Sequence, residues 1–222
     1  MLKRSCYTAI GGNIDKLLFR SSAYQDYVET ILEQPLYENS DRLIVSRVMC
    51  SVSLEHAESF KMLLAARNFT SAISLLRLQF ECLVRGMWVL YVATDGALTK
   101  LTSELSEESQ KRANNLPMLS EMISQLEKKA PKNAVAPILE FKEYSWKPLS
   151  SYVHGGLHAV DRHSKGYPIQ ILEQALKASN GVNGLVAVFG AILTGRPELT
   201  KEVYQSFDTF SDCFQFKGDV GL

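Results

Sequence analysis

The chain has 222 residues, of which 46% are hydrophobic and 22% are charged, the composition of an ordinary folded protein. Its 24 basic and 24 acidic side chains give a formal net charge of zero, so no overall field favours nucleic acid or an anionic membrane. These values exclude a disordered chain, a collagen and a small disulfide-stapled protein. The length allows one domain with a large core.

The cysteines and the apolar segments predict a reducing, cytoplasmic location. Four cysteines, at positions 6, 50, 82 and 213, are too far apart for a CxxC metal or redox motif. The N-terminus lacks the apolar run of a secretion signal. The most apolar windows, Leu83–Ala93 and Leu185–Leu193, are shorter than the ~20 residues that span a bilayer. We therefore expect no membrane partner.

Residues 1–40 are predicted to form an N-terminal arm with one short helix, and residues 41–222 a single helical-bundle domain. Residues 1–23 lack a clear apolar periodicity, so we expect an arm that docks late. After them, apolar side chains recur at intervals of three and four, at Tyr24, Tyr27, Val28, Ile31 and Leu32. This spacing predicts a short amphipathic helix that ends before Pro35.

Two long helices follow, and the short link between them predicts an antiparallel hairpin. The first spans 41–66 and the second, apolar on almost every side, spans 70–93. Further helices are predicted over 117–129, 134–145, 148–163, 169–194 and 198–212. No segment alternates with a period of two, so no strand is predicted. The predicted fold class is all-α, an up-and-down helical bundle of four to five long helices with short peripheral helices.

A polar stripe crosses the second long helix. Arg77, Glu81 and Arg85 follow one another at four-residue steps, so the three side chains share one face and can form an Arg–Glu–Arg ladder. In one interpretation the stripe is a narrow solvated face. In the other it faces an internal cleft, where the carboxylate fixes two guanidiniums that are suited to phosphate or carboxylate.

Three histidines are candidates for a site. His56 falls on the inner stripe of the helix over 41–66, where a hydrogen-bonded core role is the more common one. His154 and His158 lie one turn apart on the helix that Pro148 is expected to begin, which also carries Tyr152. No third ligand accompanies the pair and no HExxH motif is present, so neither a metal nor a cofactor is predicted.

The segment 132–167 is mildly basic and aromatic. It contains five lysines and arginines against three acids, together with three tyrosines and Trp146. Positive charge and aromatic rings are what single-stranded RNA needs, so the segment is compatible with that ligand. The chain has no phosphate-binding GxxxxGK[ST] loop, no GxGxxG motif after a strand and no GxSxG nucleophile elbow.

The run Leu75–Trp88, followed far downstream by Leu149–Gly156, resembles bacterial helical-bundle proteins of unknown function. Those are similar to the HEPN superfamily (higher eukaryotes and prokaryotes nucleotide-binding), over about residues 41–195. The resemblance implies a bundle that dimerises, and either a non-catalytic RNA or nucleotide binder or a metal-independent ribonuclease. The superfamily's catalytic signature is an arginine followed four to six residues later by a histidine. His154 matches that histidine, but the residue before it at a comparable spacing, with six residues intervening, is Lys147 and not an arginine.

Two functions follow as hypotheses. The preferred one is a non-catalytic binding or interaction module, a homodimer whose polar cluster holds RNA or an anionic small molecule. Its ligand-binding residues would be His56, Arg77, Glu81, Arg85, Tyr152 and His158. The alternative is an endoribonuclease of a toxin–antitoxin or phage-defence system, with an antitoxin-type partner and His154 as the catalytic acid or base. The run Leu185–Leu193 is apolar on all faces and must be covered by the rest of the bundle or by a second subunit, and we expect a two-fold homodimer.

Overall fold

Helices account for 82% of the residues that the structure, a computed structural model, describes. Those residues are 11–108, 111 and 115–214, and they contain no strand, which confirms the all-α prediction. In chain order the helices are α1 (Gly12–Leu32), α2 (Asp41–Ala65), α3 (Phe69–Tyr91), α4 (Asp95–Thr102), α5 (Leu119–Lys129), α6 (Lys132–Val153), α7 (Leu157–Lys165), α8 (Ile169–Leu193) and α9 (Pro197–Thr209). A short 3₁₀ turn, Ser211–Cys213, follows α9.

Helices α2 and α3 form the predicted antiparallel hairpin. Two buried serines on α2 fix its register, because Ser46 Oγ donates to the Gly86 carbonyl at 3.1 Å and Ser53 Oγ to the Gln79 carbonyl at 2.9 Å. Gly86 lets the helices approach closely, since a Cβ there would lie 3.1 Å from the Met49 Cβ. Helices α5, α6 and α8 cover the remaining faces of α3, which explains why its sequence is apolar almost all round.

Helix α8 is the second buried helix and packs against α1, α2, α3 and α9. By length and composition it is long and apolar enough to cross a membrane, with a mean hydropathy of 1.3, but 67% of its most apolar window is buried inside the fold. Buried polar side chains also fix it in place. Gln79 of α3 donates to the Ser179 carbonyl at 3.0 Å and to Asn183 Oδ1 at 2.9 Å. Other helices of the same chain therefore cover most of the apolar run Leu185–Leu193, on which the expectation of a dimer was based.

The predicted short helix at 24–32 is only the last part of α1, which begins at Gly12. The apolar side chains of residues 12–23 are few, but Ile14 and Leu17 are buried against the core. Arg20 also ties α1 to the 3₁₀ turn, with its Nε 3.0 Å from an Asp212 carboxylate oxygen. Residues 12–23 therefore form the first turns of a helix that packs on the core, while residues 1–10 and 215–222 lie outside the described residues.

Pro148 does not begin a helix. Helix α6 runs through both Pro137 and Pro148 and ends only at His154, so the predicted segments 134–145 and 148–163 are divided at the wrong point. Pro148 cannot donate to the carbonyl of Tyr144, but Tyr144 is 57% exposed, so water can bind that carbonyl. The true break lies at His154–Gly156. His154 therefore lies at the C-terminal end of a helix rather than near its N-terminal end.

Candidate functional site

The polar stripe of α3 contains a short ion pair. Arg77 Nε donates to Glu81 Oε1 at 2.8 Å, which confirms that Glu81 binds one of the two arginines. The Arg77 side chain is 13% exposed and the Glu81 side chain 22%. The pair is therefore partly buried, neither on a fully solvated face nor in a closed internal cleft. An ion pair this sheltered is screened less by salt than one on the surface.

Helix α6 covers the same guanidinium. The Cζ atom of the Arg77 guanidinium lies 3.9 Å from the centroid of the Trp146 ring, which is a cation–π contact. Arg77 Nη1 donates to Ser150 Oγ, which itself donates to the Trp146 carbonyl at 2.8 Å. Carboxylate, hydroxyl and indole thus engage the guanidinium on its edges and its face. This arrangement fastens α3 to α6 and engages Arg77 in structural contacts.

Arg85, the third member of the stripe, is half-buried one turn beyond Glu81. Its charge acts on the neighbouring thiol: burial raises the pKa of Cys82 to about 11, and Arg85 opposes that rise. Burial also raises the pKa of Cys213 to about 11 and that of Cys50 further. Since thiolates are the nucleophilic form, these three cysteines are not activated near neutral pH.

His154 ends α6 and is exposed. The chain reverses at Gly155, whose φ of 65° lies in the left-handed region that suits glycine. At Gly156 a Cβ would lie 2.7 Å from Ser151 Oγ, the atom that accepts a hydrogen bond from the His158 backbone N–H at 2.9 Å. The paired glycines therefore serve the turn from α6 to α7. His154, Arg77 and Arg85 line neither the cleft beside the α2–α3 turn nor the groove between α1 and α2.

Tyr152 and His158 lie on either side of that turn. Their rings are 6.1 Å apart, with His158 exposed and Tyr152 only 8% exposed. Burial raises the pKa of Tyr152, and Tyr167 adds to the rise while Arg162 opposes it. Tyr152 therefore stays a neutral phenol at physiological pH, able to donate one hydrogen bond.

His56 lies half-buried on α2, beside the buried face rather than in it. That face comprises Leu43, Ser46, Cys50, Ser53, Leu54, Ala57, Phe60, Lys61 and Leu64. The predicted inner face of this helix, which contained His56, is therefore displaced by about one residue from the face that is buried in the structure. Among the described contacts of Arg77, with Glu81, Trp146 and Ser150, His56 takes no part.

A basic cleft lies where the α2–α3 turn meets the end of α7, and we call it the α3–α7 cleft. Its volume is about 320 Å³. Its lining contains two arginines and a histidine and no acidic residue: Arg67, Asn68, Phe69, Thr70, Ser71, Arg162, His163, Gly166 and Tyr167. The first backbone N–H groups of α3 belong to Phe69, Thr70 and Ser71, and such groups favour anions.

Hydrogen bonds hold the polar side chains of the α3–α7 cleft together. Thr70 Oγ1 lies 2.7 Å from the Tyr167 hydroxyl and 3.2 Å from His163 Nδ1. The Phe69 and Tyr167 rings pack with centroids 5.4 Å apart. Burial raises the pKa of Tyr167, and this rise is partly offset by the hydrogen bond with Thr70 and by the charge of Arg162. The cleft therefore presents hydroxyl groups and an imidazole against an aromatic wall.

Arg67 holds a backbone conformation that is unusual for its residue type. Its φ is 60°, in the left-handed region, and it is the only non-glycine residue with positive φ in the described part of the chain. The turn requires this geometry, since the Arg67 and Asn68 N–H groups donate to the carbonyls of Leu64 at 3.0 Å and Leu63 at 2.8 Å. Glycine is the usual residue there, so an arginine at this position costs stability.

Arg162 has only a long contact with a carboxylate. Its Nη1 atom is 3.9 Å from an Asp161 oxygen, a long contact, while Lys165 lies 2.5 Å from the other oxygen of the same carboxylate. Lys165 holds the pKa of Asp161 below its usual range. One carboxylate is thus shared by two cations, and the positive charge beside the cleft exceeds the negative.

Most of the α3–α7 cleft was not predicted from the sequence. Arg162 and Tyr167 belong to the basic, aromatic segment 132–167, but Arg67, Thr70 and His163 were not predicted as site residues. The basic side chains at the end of α7 were a visible signal, since Arg162, His163 and Lys165 fall within one turn. The α2–α3 turn contributes Arg67 and Thr70 to the cleft only because it packs against residues about a hundred positions further along the chain, which a sequence pattern does not show.

Among the described residues, no three His, Cys, Asp or Glu side chains are grouped so that they could hold a metal ion. The fold and its clefts define an all-helical bundle built around a central apolar helix with a sheltered polar stripe. The chain belongs to the family of unknown function DUF6988, which matches residues 50–216. No curated protein and no solved structure matches the chain.

Proposed function

We propose that this protein is a non-catalytic binding module for a phosphate-bearing ligand, with RNA as the preferred polymer. The observation that carries the proposal is the α3–α7 cleft, whose lining has two guanidiniums and an imidazole but no carboxylate. Arginine is suited to forked contacts with phosphate oxygens. The N–H groups at the start of a 23-residue helix add donors that favour the same charge.

The aromatic wall supports a nucleotide rather than a bare anion. Phe69 and Tyr167 are half-buried beside the guanidiniums, so a phosphate at Arg67 and Arg162 leaves its base within reach of a ring. A volume of about 320 Å³ is at the lower end for small-molecule sites and suits one nucleotide unit. The polar stripe around Arg77 then serves as a structural link between α3 and α6.

Four finer attributes belong to the same proposal. We infer a kinship with the HEPN superfamily from the run Leu75–Trp88 and the segment Leu149–Gly156, together with an origin in bacteria. We also infer a homodimer and a cytoplasmic location. An antitoxin-type partner protein applies only to the ribonuclease alternative. That alternative is the weaker one, because His154 is exposed at a helix end while Arg77 is engaged by three neighbours.

Fluorescence anisotropy with a labelled single-stranded RNA tests the proposal. Arg162→Gln should weaken binding by about tenfold, since a charge-assisted hydrogen bond is lost. Lys201→Gln removes an equal charge from an exposed position on α9 and should leave the affinity unchanged. Competition by a nucleoside monophosphate should displace the RNA from the wild type. Equal losses in both variants would mean non-specific attraction and would contradict the proposed site.

The same samples separate binding from cleavage. The wild type is incubated with RNA in EDTA beside His154→Ala and His163→Ala, and the RNA is analysed on a denaturing gel. We expect intact RNA in all three. Cleavage by the wild type that disappears in His154→Ala would replace the binding module with the ribonuclease.

A further inference from the structure

Three polar side chains that line the α3–α7 cleft form a continuous hydrogen-bonded chain, which we call the relay. Thr70, in the first turn of α3, is its middle member, because Thr70 Oγ1 lies 2.7 Å from the Tyr167 hydroxyl and 3.2 Å from His163 Nδ1. His163 is exposed near the end of α7, whereas Thr70 and Tyr167 are half-buried. Protons from solvent therefore reach the imidazole, while the two hydroxyl groups stay sheltered.

The charge of the imidazole decides the direction of the relay. A hydroxyl group carries one proton, so Thr70 can donate to only one of its two neighbours. When His163 is neutral and its Nδ1 atom accepts, Thr70 donates to that atom and accepts from Tyr167, the more acidic hydroxyl. An imidazolium carries protons on both nitrogens, so Nδ1 then donates to Thr70. Thr70 in turn donates to Tyr167, and the phenol proton becomes free for another acceptor.

His163 is the group among the residues lining the cleft whose charge can change between about pH 5 and about pH 8. Arginine side chains keep their charge throughout this range, so Arg67 and Arg162 contribute a constant positive charge. Burial raises the pKa of Tyr167, so the phenol keeps its proton. The relay therefore has a single titrating member within this range of pH.

The charged groups of the neighbouring helices have partners of their own. On α7, Asp161 pairs with Lys165 at 2.5 Å. On α8, the first charged residue is Glu173, whose Oε1 atom accepts a hydrogen bond from Asn13 Nδ2 of α1 at 2.8 Å. Helix α3 has no charged residue before Arg77. No carboxylate lines the cleft, so an imidazolium there can take its counter-charge from a bound anion.

We propose that protonation of His163 reverses the relay and strengthens the binding of RNA in the α3–α7 cleft, so that pH controls the site. The inference rests on the proposed RNA-binding function of this cleft. Protonation adds a positive charge beside the two guanidiniums. It also frees the Tyr167 hydroxyl to donate to a phosphate oxygen. Because linkage is reciprocal, a bound phosphate favours the protonated imidazole by the same factor.

Fluorescence anisotropy at about pH 5.5 and about pH 8, at constant ionic strength, tests the proposal on the full chain. The probe is an oligouridylate without terminal phosphates, whose bases and phosphodiesters keep their charge over this range, with a label insensitive to pH. The wild type should bind about fivefold more tightly at the lower pH. His163→Gln should lose this dependence and keep the affinity measured at the higher pH. His154→Gln removes an exposed histidine outside the cleft and should keep the dependence.

Substitutions of the two hydroxyl groups test the relay itself. Tyr167→Phe should weaken binding more at the lower pH, where the phenol is free to donate, than at the higher pH. In the His163→Gln background the same substitution should have equal effects at both. Thr70→Val interrupts the relay with little change of shape, whereas Thr70→Ser retains the hydroxyl group. The pH dependence should therefore shrink in Thr70→Val and persist in Thr70→Ser.

A wild type that binds RNA equally well at both pH values, with Arg162→Gln still weaker, would overturn the relay and leave the RNA site standing. Absence of RNA binding at both pH values would overturn the two proposals together. Loss of the pH dependence in His154→Gln would also overturn the relay, because the titrating group would lie elsewhere. A second measurement needs no variant in the binding step: the NMR titration midpoint of the His163 ring proton should move to higher pH when oligouridylate is added. An unchanged midpoint would contradict the proposal.

Discussion

At the scale of single residues, the Arg77–Glu81 pair was predictable because it depends only on a four-residue spacing along one helix. Its other partners were not, because Trp146 and Ser150 come from α6, some seventy positions away. A sequence pattern reports neighbours along a helix, whereas the partner across a helix interface is set by the packed fold. For the same reason the α3–α7 cleft could not be predicted as a whole. The sequence indicated only the segment that contributes Arg162 and Tyr167.

The Arg77–Glu81 pair gives the first prediction. Glu81→Ala should lower the free energy of unfolding by about 1–3 kcal/mol, because it leaves a sheltered guanidinium with one partner fewer. Thermal or urea melts measure the change. Glu127→Ala removes a similar carboxylate from an exposed helical position and should change stability much less. Equal effects of the two substitutions would contradict a structural role for the pair.

Arg67 gives the second prediction, in which one substitution weakens RNA binding without lowering the stability of the fold. Arg67→Gly should leave stability unchanged or raise it by up to about 1 kcal/mol, because glycine adopts a positive φ without strain. The same substitution should weaken RNA binding, since it removes one of the two guanidiniums of the α3–α7 cleft. Melts and anisotropy on one preparation measure both. Lower stability together with unchanged affinity would show that Arg67 is a structural residue only.

Cys82 gives a prediction about alkaline pH. A thiol with an ordinary pKa of 9.0 is raised to about 11 in the fold, mainly by burial. The folded state therefore holds the proton more tightly than the unfolded chain. This stabilising contribution is complete below pH 9 and is lost as the pH rises through about 11. We expect the Tm to fall across that range, and to fall less in Cys82→Ala; an equal fall in both proteins would contradict the assignment.

At the scale of helices, the apolar periodicity located α2, α3, α5, α8 and α9 to within a few residues. It failed where a proline was taken as a boundary. Helix α6 contains Pro148 because burial of Leu149 and Tyr152 on its inner side outweighs one missing backbone hydrogen bond. The actual boundary is made by Gly155 and Gly156, whose role depends on backbone geometry that periodicity does not measure.

Two glycines provide a matched test of that boundary. Gly155→Ala should destabilise the protein by about 1 kcal/mol, because alanine is strained at a positive φ. Gly181→Ala lies inside α8 with no atom within 4 Å of the new Cβ, so it should stabilise by about 0.5–1 kcal/mol through helix propensity. Urea denaturation of both variants measures the difference. Changes of the same sign would contradict the turn as described.

At the scale of the whole molecule, the expected homodimer has lost one of its arguments but stays a prediction. Most of the run Leu185–Leu193 is buried within the chain, with Ile192 38% exposed, so the run no longer requires a second subunit. Sedimentation at micromolar concentration tests the expectation, since a dimer has twice the 24.8 kDa of one chain. A single species of 24.8 kDa would contradict it.

The attachment of α1 has a consequence for synthesis. Helix α1 packs mainly against α8, and it also contacts α2 and the 3₁₀ turn. Asn180 donates to Ser21 Oγ at 2.7 Å, and Arg20 pairs with Asp212, 192 positions along the chain. On the ribosome, α2 and α3 can pair as soon as both have emerged, because their contacts are local. Helix α1 is made before them, but its contacts with α8 and with the 3₁₀ turn can form only after residue 213 has left the exit tunnel. The first helix of the described residues thus completes its packing only when the last ones have been made.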